Sequence, residues 1–279
     1  MPPPSRPSPR RQEPPAARRR RPGAGPSPGG RQDPWSLEAL VRSLRDRVRS
    51  YAASHPDEPP SLWLYREIDS WAADRDDDWK RRRSSRAVLP LAPEPSCRPG
   101  CVHCCYQHVA VTPAEARLLA DHLARLRPNA EVEVEALLAR LSRAAEDCRR
   151  LIAEAPDPRA SRLALARVRR PCPLLDERLG RCLAYDARPV NCRRENSLDV
   201  EVCRRYRDDP DCPDSSLRLV RYDVIWGAAF AFLARWGPAL LLLKPGAIEP
   251  LDVALSRTMT PGSPIGAEDA GGADHPAEP

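Results

Sequence analysis

Lysine and glycine are both scarce in this chain. Lys80 and Lys244 are the only lysines among its 279 residues, so arginine supplies nearly all of the positive charge. Because alanine and proline are also abundant, we attribute this bias to genome composition rather than to function. Functional arguments that depend on the number of arginines are therefore given little weight.

Between residues 35 and 259 the glycines are Gly100, Gly180, Gly227, Gly237 and Gly246. No glycine-rich phosphate or nucleotide loop can be built from them, which argues against a Rossmann-type cofactor site and against a P-loop.

The sequence also lacks a recognisable secretory signal. The first thirty residues, MPPPSRPSPRRQEPPAARRRRPGAGPSPGG, contain no apolar core and no cleavage-like site behind one. We therefore expect a cytoplasmic location, where thiols are kept reduced. In that compartment clustered cysteines more often bind metal or carry out redox chemistry than form structural disulfides.

A membrane span is not expected either. Residues 224–243 contain a single charge and reach the length of a span. However, Arg235 lies near the far end of this stretch, and the pair Gly237-Pro238 interrupts it. The pattern favours a buried helix from about Asp223 to Trp236, followed by a short apolar segment, over a transmembrane helix.

Both ends of the chain have the composition of disordered segments. Residues 1–34 hold eleven prolines and eight arginines and no aromatic or β-branched residue, so they cannot form a core. We predict a disordered basic arm at 1–34 and a disordered tail at 260–279. The run Arg18 to Arg21 could contact phosphates, but no aromatic side chain is interleaved to stack on bases. A solvated arm without a nucleic-acid partner is therefore favoured.

Apolar periodicity predicts a mainly α fold. Ser36 can cap a first helix with one buried stripe, and a second helix begins near Ser61. We predict that these helices form a hairpin over 35–88. Its tryptophans, Trp63, Trp71 and Trp79, recur every eight residues and are interpreted as packing or as contacts to an unidentified protein partner.

The region 89–259 is predicted to be a helical domain around an irregular, loop-built cysteine centre, with a buried C-terminal helix. Thr112, Pro113 and Glu115 form a helix start that combines a capping hydroxyl, a first-turn proline and a Glu three residues on. Helices are expected at about 113–126 and 131–154. Cys148 lies on the apolar stripe of the second one, which predicts a core thiol outside the site.

Nine of the ten cysteines then remain. They are Cys97, Cys101, Cys104, Cys105, Cys172, Cys182, Cys192, Cys203 and Cys212. The first group, CRPGCVHCC, has the spacing C-x3-C-x2-C-C, and the second, CPLLDERLGRCLAYDARPVNC, has the spacing C-x9-C-x9-C. Spacings of two or three residues allow a loop to direct successive sulfurs toward one metal, as in thiolate zinc and iron–sulfur sites. The adjacent pair Cys104-Cys105 is harder to interpret, because neighbouring side chains diverge.

Several cationic side chains lie near these cysteines in the sequence. They could donate hydrogen bonds to thiolates, whose charge a single divalent ion does not fully compensate. In an arginine-rich chain, chance explains much of this proximity between cations and cysteines. Arg188 is the only one of these residues that we interpret individually as a candidate hydrogen-bond donor to the thiolates. His103 and His108 flank the first cysteine group; a solvated loop role is favoured over metal ligation for both. The histidines between residues 35 and 259 show no HExxH pair and no catalytic-triad spacing.

These residues carry a family resemblance. CRPGCVHCC, then VTPAEARLLADHL, CPLL and GRCLAYDARPVNCR, follow in order over about residues 95–195. The pattern resembles the YkgJ-type cysteine-cluster proteins, also called the CxxCxxCC or zinc- or iron-chelating domain family. Leu174 departs from this pattern, since an aromatic residue is common at its position in the family.

The resemblance implies that seven cysteines gather at a metal and that Tyr185, Arg188 and Pro189 shape the surrounding loop. The seven are Cys97, Cys101, Cys104, Cys105, Cys172, Cys182 and Cys192. Cys203 and Cys212 lie beyond the core motif. Cys203 fits the interior of a helix, whereas Cys212 falls in a predicted loop and is the better candidate for an eighth ligand.

Three classes of function remain open from the sequence. The favoured one is a metal-binding protein that holds an iron–sulfur cluster, because seven or eight thiols exceed the four that a closed zinc site requires. The second is a zinc-stapled structural or interaction protein. The third is an enzyme, since the cysteine region also resembles that of flagellin lysine N-methylases.

Overall fold

The computed structural model describes residues 33–84, 93–98, 100–126, 134–209, 211–212 and 219–259. The predicted basic arm, apart from its last two residues, and the predicted C-terminal tail lie outside the described residues. The described part is mainly α, as predicted. Its helices are α1 (Leu37–Ser54), α2 (Pro60–Ser84), α3 (Pro113–Leu126), α4 (Val134–Glu154), α5 (Pro158–Arg167), α6 (Val190–Arg194), α7 (Val200–Asp208), α8 (Val220–Leu240) and α9 (Leu251–Met259).

The remaining regular structure is short and surrounds the cysteine motifs. A single 3-10 turn covers His103–Tyr106. The strands are β1 (Ala110–Val111), β2 (Leu175–Asp176), β3 (Arg181–Cys182) and β4 (Glu249–Pro250). β1 pairs with β4, and β2 pairs with β3, both antiparallel. The segments that carry the cysteines are thus mostly loops, as the sequence predicted.

The first two helices form the predicted hairpin. The Ser36 hydroxyl accepts a hydrogen bond from the Ala39 N–H at 3.2 Å and caps α1. Leu40, Leu44 and Val48 of α1 are buried and continue into one core with residues of α2. The same core includes α3, α8 and α9, and α8 packs against α1, α2, α3 and α6. The hairpin therefore shares its hydrophobic core with the cysteine-bearing region.

The C-terminal apolar helix is longer than the sequence predicted. The expected end at Trp236 was wrong, because α8 continues through Gly237 and Pro238 to Leu240. Pro238 lies in the last turn, where the missing N–H removes only one helical hydrogen bond. Gly237 and Pro238 are both buried, and this burial stabilises the last turn of the helix. No helix in the described part of the chain is long and apolar enough to cross a bilayer.

Gly237 marks the close contact between α8 and α3. A Cβ atom at this position would lie 2.5 Å from the Cβ of Ala114, far inside van der Waals contact. We expect Gly237→Ala to lower the free energy of unfolding by about 1–3 kcal/mol, because two packed helices would have to separate. Chemical denaturation followed by circular dichroism measures this change.

Gly227 offers a matched control in the same helix. A Cβ atom there would meet no other heavy atom within 4 Å. Gly227→Ala is therefore expected to stabilise the protein by about 0.5–1 kcal/mol, since alanine has the higher helix propensity. Equal effects of the two substitutions would contradict the close helix contact at Gly237.

Candidate metal centre

Six cysteines line one open cleft of about 1190 Å³. They are Cys101, Cys104, Cys105, Cys172, Cys182 and Cys192. All six were predicted as ligands from the sequence, and all ten cysteines of the chain are free thiols. The two cysteine motifs, which are separated by α3, α4 and α5, therefore face each other across the same cavity.

A tight turn and a 3-10 helix present the first motif. Gly100 has a φ of +88°, a conformation that residues with a Cβ rarely adopt. Just after it, the Cys101 N–H donates to the Arg98 carbonyl at 3.0 Å. Cys104 and Cys105 then lie within the turn His103–Tyr106. The backbone therefore bends sharply immediately before Cys101.

A short hairpin and a short helix present the second motif. Gly180 has a φ of +60° and lies in the turn that joins β2 to β3, and Cys182 is the last residue of β3. Cys192 lies within α6. The Cys172 N–H donates to the carbonyl of Cys105 at 2.7 Å. This backbone hydrogen bond joins the two motifs directly.

Glu115 connects the start of α3 to the start of α6. Its Oε2 accepts from the Thr112 N–H at 2.8 Å, and its own N–H donates to the Thr112 hydroxyl at 3.2 Å, which confirms the predicted capping box. Its Oε1 accepts from the Val190 N–H at 2.7 Å. Burial raises the pKa of Glu115, although these hydrogen bonds oppose the shift. One buried carboxylate thus fixes the helix that carries Cys192.

Arg193 connects the same helix to the N-terminal hairpin. Its side chain is only 8% exposed, and its Nη1 contacts Asp69 of α2 at 2.5 Å. Its other guanidinium nitrogens donate to the carbonyls of Arg188 and Asp186 at 2.8 and 2.6 Å. The guanidinium also lies 5.1 Å from the ring centroid of Tyr65. Arg193 therefore holds the loop before Cys192 against α2.

Four thiols of the cleft, those of Cys104, Cys172, Cys182 and Cys192, have a raised pKa and are shifted toward the neutral form. Burial raises the pKa of Cys172, Cys182 and Cys192, and neighbouring thiols add to the shift of each. A hydrogen bond to Cys105 is the largest cause of the raised pKa of Cys104, followed by burial. Such thiols need a compensating positive charge before they lose their protons.

Arg188 is the cation that opposes these shifts. Its charge acts to lower the pKa of Cys104, Cys182 and Cys192, but the pKa of each is raised on balance. The hydrogen bond to Cys105 and burial outweigh Arg188 at Cys104, and burial outweighs it at Cys182 and Cys192. The Arg188 guanidinium lies 3.9 Å from the ring centroid of Tyr185, and its Nε donates to the Tyr185 carbonyl at 3.2 Å. Both residues line the cleft. A fixed guanidinium of this kind can donate hydrogen bonds to thiolates.

Three further cysteines lie away from the cleft lining. Cys97 is exposed. Partial burial of its side chain is the largest cause of its raised pKa, and the nearby thiols of Cys101 and Cys203 raise the pKa further. Cys203, which lies in α7, therefore neighbours the first motif. Cys212 donates its N–H to the Asp209 carbonyl at 3.1 Å and is absent from the residues that line the cleft.

The most compact group of possible ligands in the described part is a different one. The ligand atoms of His108, Cys148 and Asp252 all lie within 4.8 Å of one another. Among the described residues, the six cleft sulfurs do not form a group of this kind. Cys148 is 1% exposed, as its position on the stripe of α4 predicted, but it contacts polar groups.

Tyr65 lies near Cys192 and contacts Arg193, and the sequence did not identify either residue as part of the site. Tyr65 lies on α2, and within the described residues its buried hydroxyl has no hydrogen-bond partner. Burial raises its pKa well above the usual value, and Glu115 adds to the shift. No local pattern distinguishes Tyr65 from an ordinary core residue. Arg193 ends the motif ARPVNCR, but the abundance of arginine hides that signal.

The comparisons with known proteins give one match. Residues 96–213 match a family model described as "CxxCxxCC: Putative zinc- or iron-chelating domain". This range contains all six cysteines of the cleft, together with Cys97, Cys203 and Cys212. Neither the search of curated proteins nor the search of solved structures gives a match.

Proposed function

We propose that this chain, whose residues 96–213 are a CxxCxxCC domain, binds its metal through the six cysteines of the cleft, as an iron–sulfur cluster. The observation that supports the proposal is the meeting of two distant cysteine motifs on one cavity. Thiolates are the ligands that soft metals and iron–sulfur clusters take in proteins. The donor set of the cleft therefore fits such a group.

The number of thiols favours a cluster over a single zinc ion. A closed structural zinc site uses four ligands, whereas six sulfurs line this cleft. The adjacent pair Cys104-Cys105 supplies two of them from one turn. A bound cluster would supply electron transfer or a Lewis-acidic iron, and the chain would supply ligands, burial and the Arg188 guanidinium. A zinc ion held by four of the six thiols is the alternative that the same geometry allows.

Anaerobic purification with metal analysis and an absorption spectrum tests this proposal. We expect iron and acid-labile sulfide in stoichiometric amounts and a brown protein with broad sulfur-to-iron absorption. A colourless protein with stoichiometric zinc would replace the cluster with the zinc alternative. A protein that binds neither metal through the cleft would refute the proposal as a whole.

Cysteine variants identify the ligands. Cys104→Ser and Cys192→Ser each remove a sulfur from a different motif, and we expect each to lose most of the bound metal. Cys212→Ser is the matched control, because its sulfur is not among those lining the cleft. Equal metal loss in all three variants would restore Cys212 as the ligand that the sequence predicted and would contradict a site confined to the cleft.

A second candidate function is catalysis on an organic substrate next to the metal. One observation favours it: the cavity of about 1190 Å³ is larger than a metal group requires and has the size of a small-molecule site. Its lining also includes the polar groups of His122, Arg188 and Asn191. The test measures the thermal unfolding midpoint of the metal-loaded protein with and without S-adenosylmethionine, and with and without basic peptides. A higher midpoint in the presence of either compound supports an enzyme.

A further inference from the structure

We propose that His108, Cys148 and Asp252 form a second metal site, which holds one divalent transition ion of the zinc type. It borders the cysteine cleft, whose lining includes His108 but neither Cys148 nor Asp252. The three ligand atoms lie within 4.8 Å of one another. They belong to distant parts of the chain: the loop before β1, the helix α4 and the helix α9. Contact between α4 and α9 brings Cys148 and Asp252 together.

The site is buried and has space for one ion. Cys148 and Asp252 are 1% and 7% exposed, and His108 is half-buried. All three residues line a small cavity of about 20 Å³. A cavity of that size accepts about one water-sized particle. The cavity is therefore matched to a single ion and excludes an organic ligand.

The donor set selects the class of metal. Sulfur, imidazole nitrogen and carboxylate oxygen are the three ligand types that zinc accepts, whereas calcium and magnesium prefer oxygen alone. Three protein ligands leave a fourth position for water, as in zinc sites that remain open. The mixed set also differs from the six thiolates proposed as ligands in the cleft, so the two sites should differ in their preference for metals.

Arg170 contributes a positive charge next to this second site. Its Nη2 donates to the Asp252 carboxylate at 2.6 Å and to the Cys148 sulfur at 3.0 Å. Its Nη1 donates to the Asp147 carboxylate at 3.3 Å, but Asp147 is 45% exposed and is already paired with Arg150 at 2.8 Å. With the thiol ionised, Cys148 and Asp252 carry two buried negative charges against the single positive charge of Arg170. The net negative charge that remains attracts a cation.

The competing interpretation is a polar network that only stabilises the fold. The Cys148 thiol lies 3.5 Å from Asp252 Oδ2, so it can donate to the carboxylate while Arg170 neutralises that charge. In this case sulfur has no special role. A serine hydroxyl can make the same contacts, whereas it is a poor ligand for zinc. Cys148→Ser therefore separates the two interpretations.

The experiment measures zinc bound per chain in the full-length protein, equilibrated with Zn²⁺ in a chelator buffer. Cys148→Ser and His108→Gln should each bind one equivalent less than the wild type. His122→Gln is the matched control, because His122 is half-buried, lines the cleft and lies outside the group. The proposal would be overturned if Cys148→Ser and His108→Gln bound as much zinc per chain as His122→Gln.

A cleft variant distinguishes this site from the proposed function. A variant in which all six cleft cysteines are replaced by serine should retain one zinc equivalent, and adding Cys148→Ser should abolish it. Retention of that equivalent after Cys148→Ser is added would overturn the second site. If the cleft binds no metal, the wild type should still bind one equivalent through His108, Cys148 and Asp252. Metal-free melting curves of Cys148→Ser, expected to match the wild type, exclude unfolding as the cause of its loss.

Discussion

Arg193→Ala is expected to lower the free energy of unfolding by about 1–3 kcal/mol, because a buried side chain and its hydrogen bonds are lost. The Arg193 side chain is 8% exposed, whereas its partner Asp69, at 2.5 Å, is 39% exposed and stays solvated when the pair is broken, so the ion pair itself contributes little. Two backbone carbonyls, of Asp186 and Arg188, would lose their donors at the same time. The loop before Cys192 would then be free to separate from α2. Urea denaturation in the presence of a chelator measures the change without a contribution from bound metal.

The neighbouring arginine provides the control for this prediction. Arg194 contacts Asp223 at 2.8 Å, but the two side chains are 38% and 29% exposed. Water solvates both charges when the pair is broken, so Arg194→Ala should cost only about 0–1 kcal/mol. Similar losses for Arg193→Ala and Arg194→Ala would show that burial of Arg193 has no energetic importance.

Glu115→Ala is expected to destabilise the protein by about 2–5 kcal/mol, because two buried N–H groups lose their acceptor and a cavity remains. The N–H groups of Thr112 and Val190 belong to the starts of two separate helices. Loss of the carboxylate should therefore loosen α6, which carries Cys192. Glu115→Gln should recover only part of the stability, since its amide places a donor against one of these N–H groups.

Asp157 makes the same kind of contact on the surface and is the matched control. Its Oδ1 accepts from the N–H groups of Arg159 and Ala160 at 2.7 and 2.8 Å, and the site is exposed. Water replaces the carboxylate there, so Asp157→Ala should cost about 1 kcal/mol. Thermal melting of both variants distinguishes the cases; a loss no larger for Glu115→Ala than for Asp157→Ala would contradict a structural link between α3 and α6.

Both predictions concern residues that hold α6 rather than residues of the cleft itself. Val190 and Arg193 are contacted from α3 and from α2, on either side of Cys192. The proposed ligand is thus fixed by two buried anchors from other parts of the chain. In variants of either anchor we expect weaker metal binding even where the sulfurs remain, because ligand position depends on surrounding contacts.

Local features of the fold followed directly from the sequence. The Ser36 cap, the capping box of Thr112 and Glu115, and the buried stripe of α4 all depend on residues three or four positions apart. Such contacts form within one helix, so spacing along the chain is sufficient to predict them. The end of α8 was an exception. Proline is a signal against helix, and packing of Gly237 against Ala114 outweighed it.

The sequence by itself determined the helical class, the two cysteine motifs and the match of residues 96–213 to the CxxCxxCC family model. Only the tertiary structure decided which sulfurs line the cleft, that Tyr65 lies near Cys192 and contacts Arg193, and that Cys148 lies beside His108 and Asp252. The reason is physical. Helix periodicity and turn chemistry arise between near neighbours, whereas the partners of a buried charge or thiol are supplied by helices distant in the chain, and their packing alone brings them together.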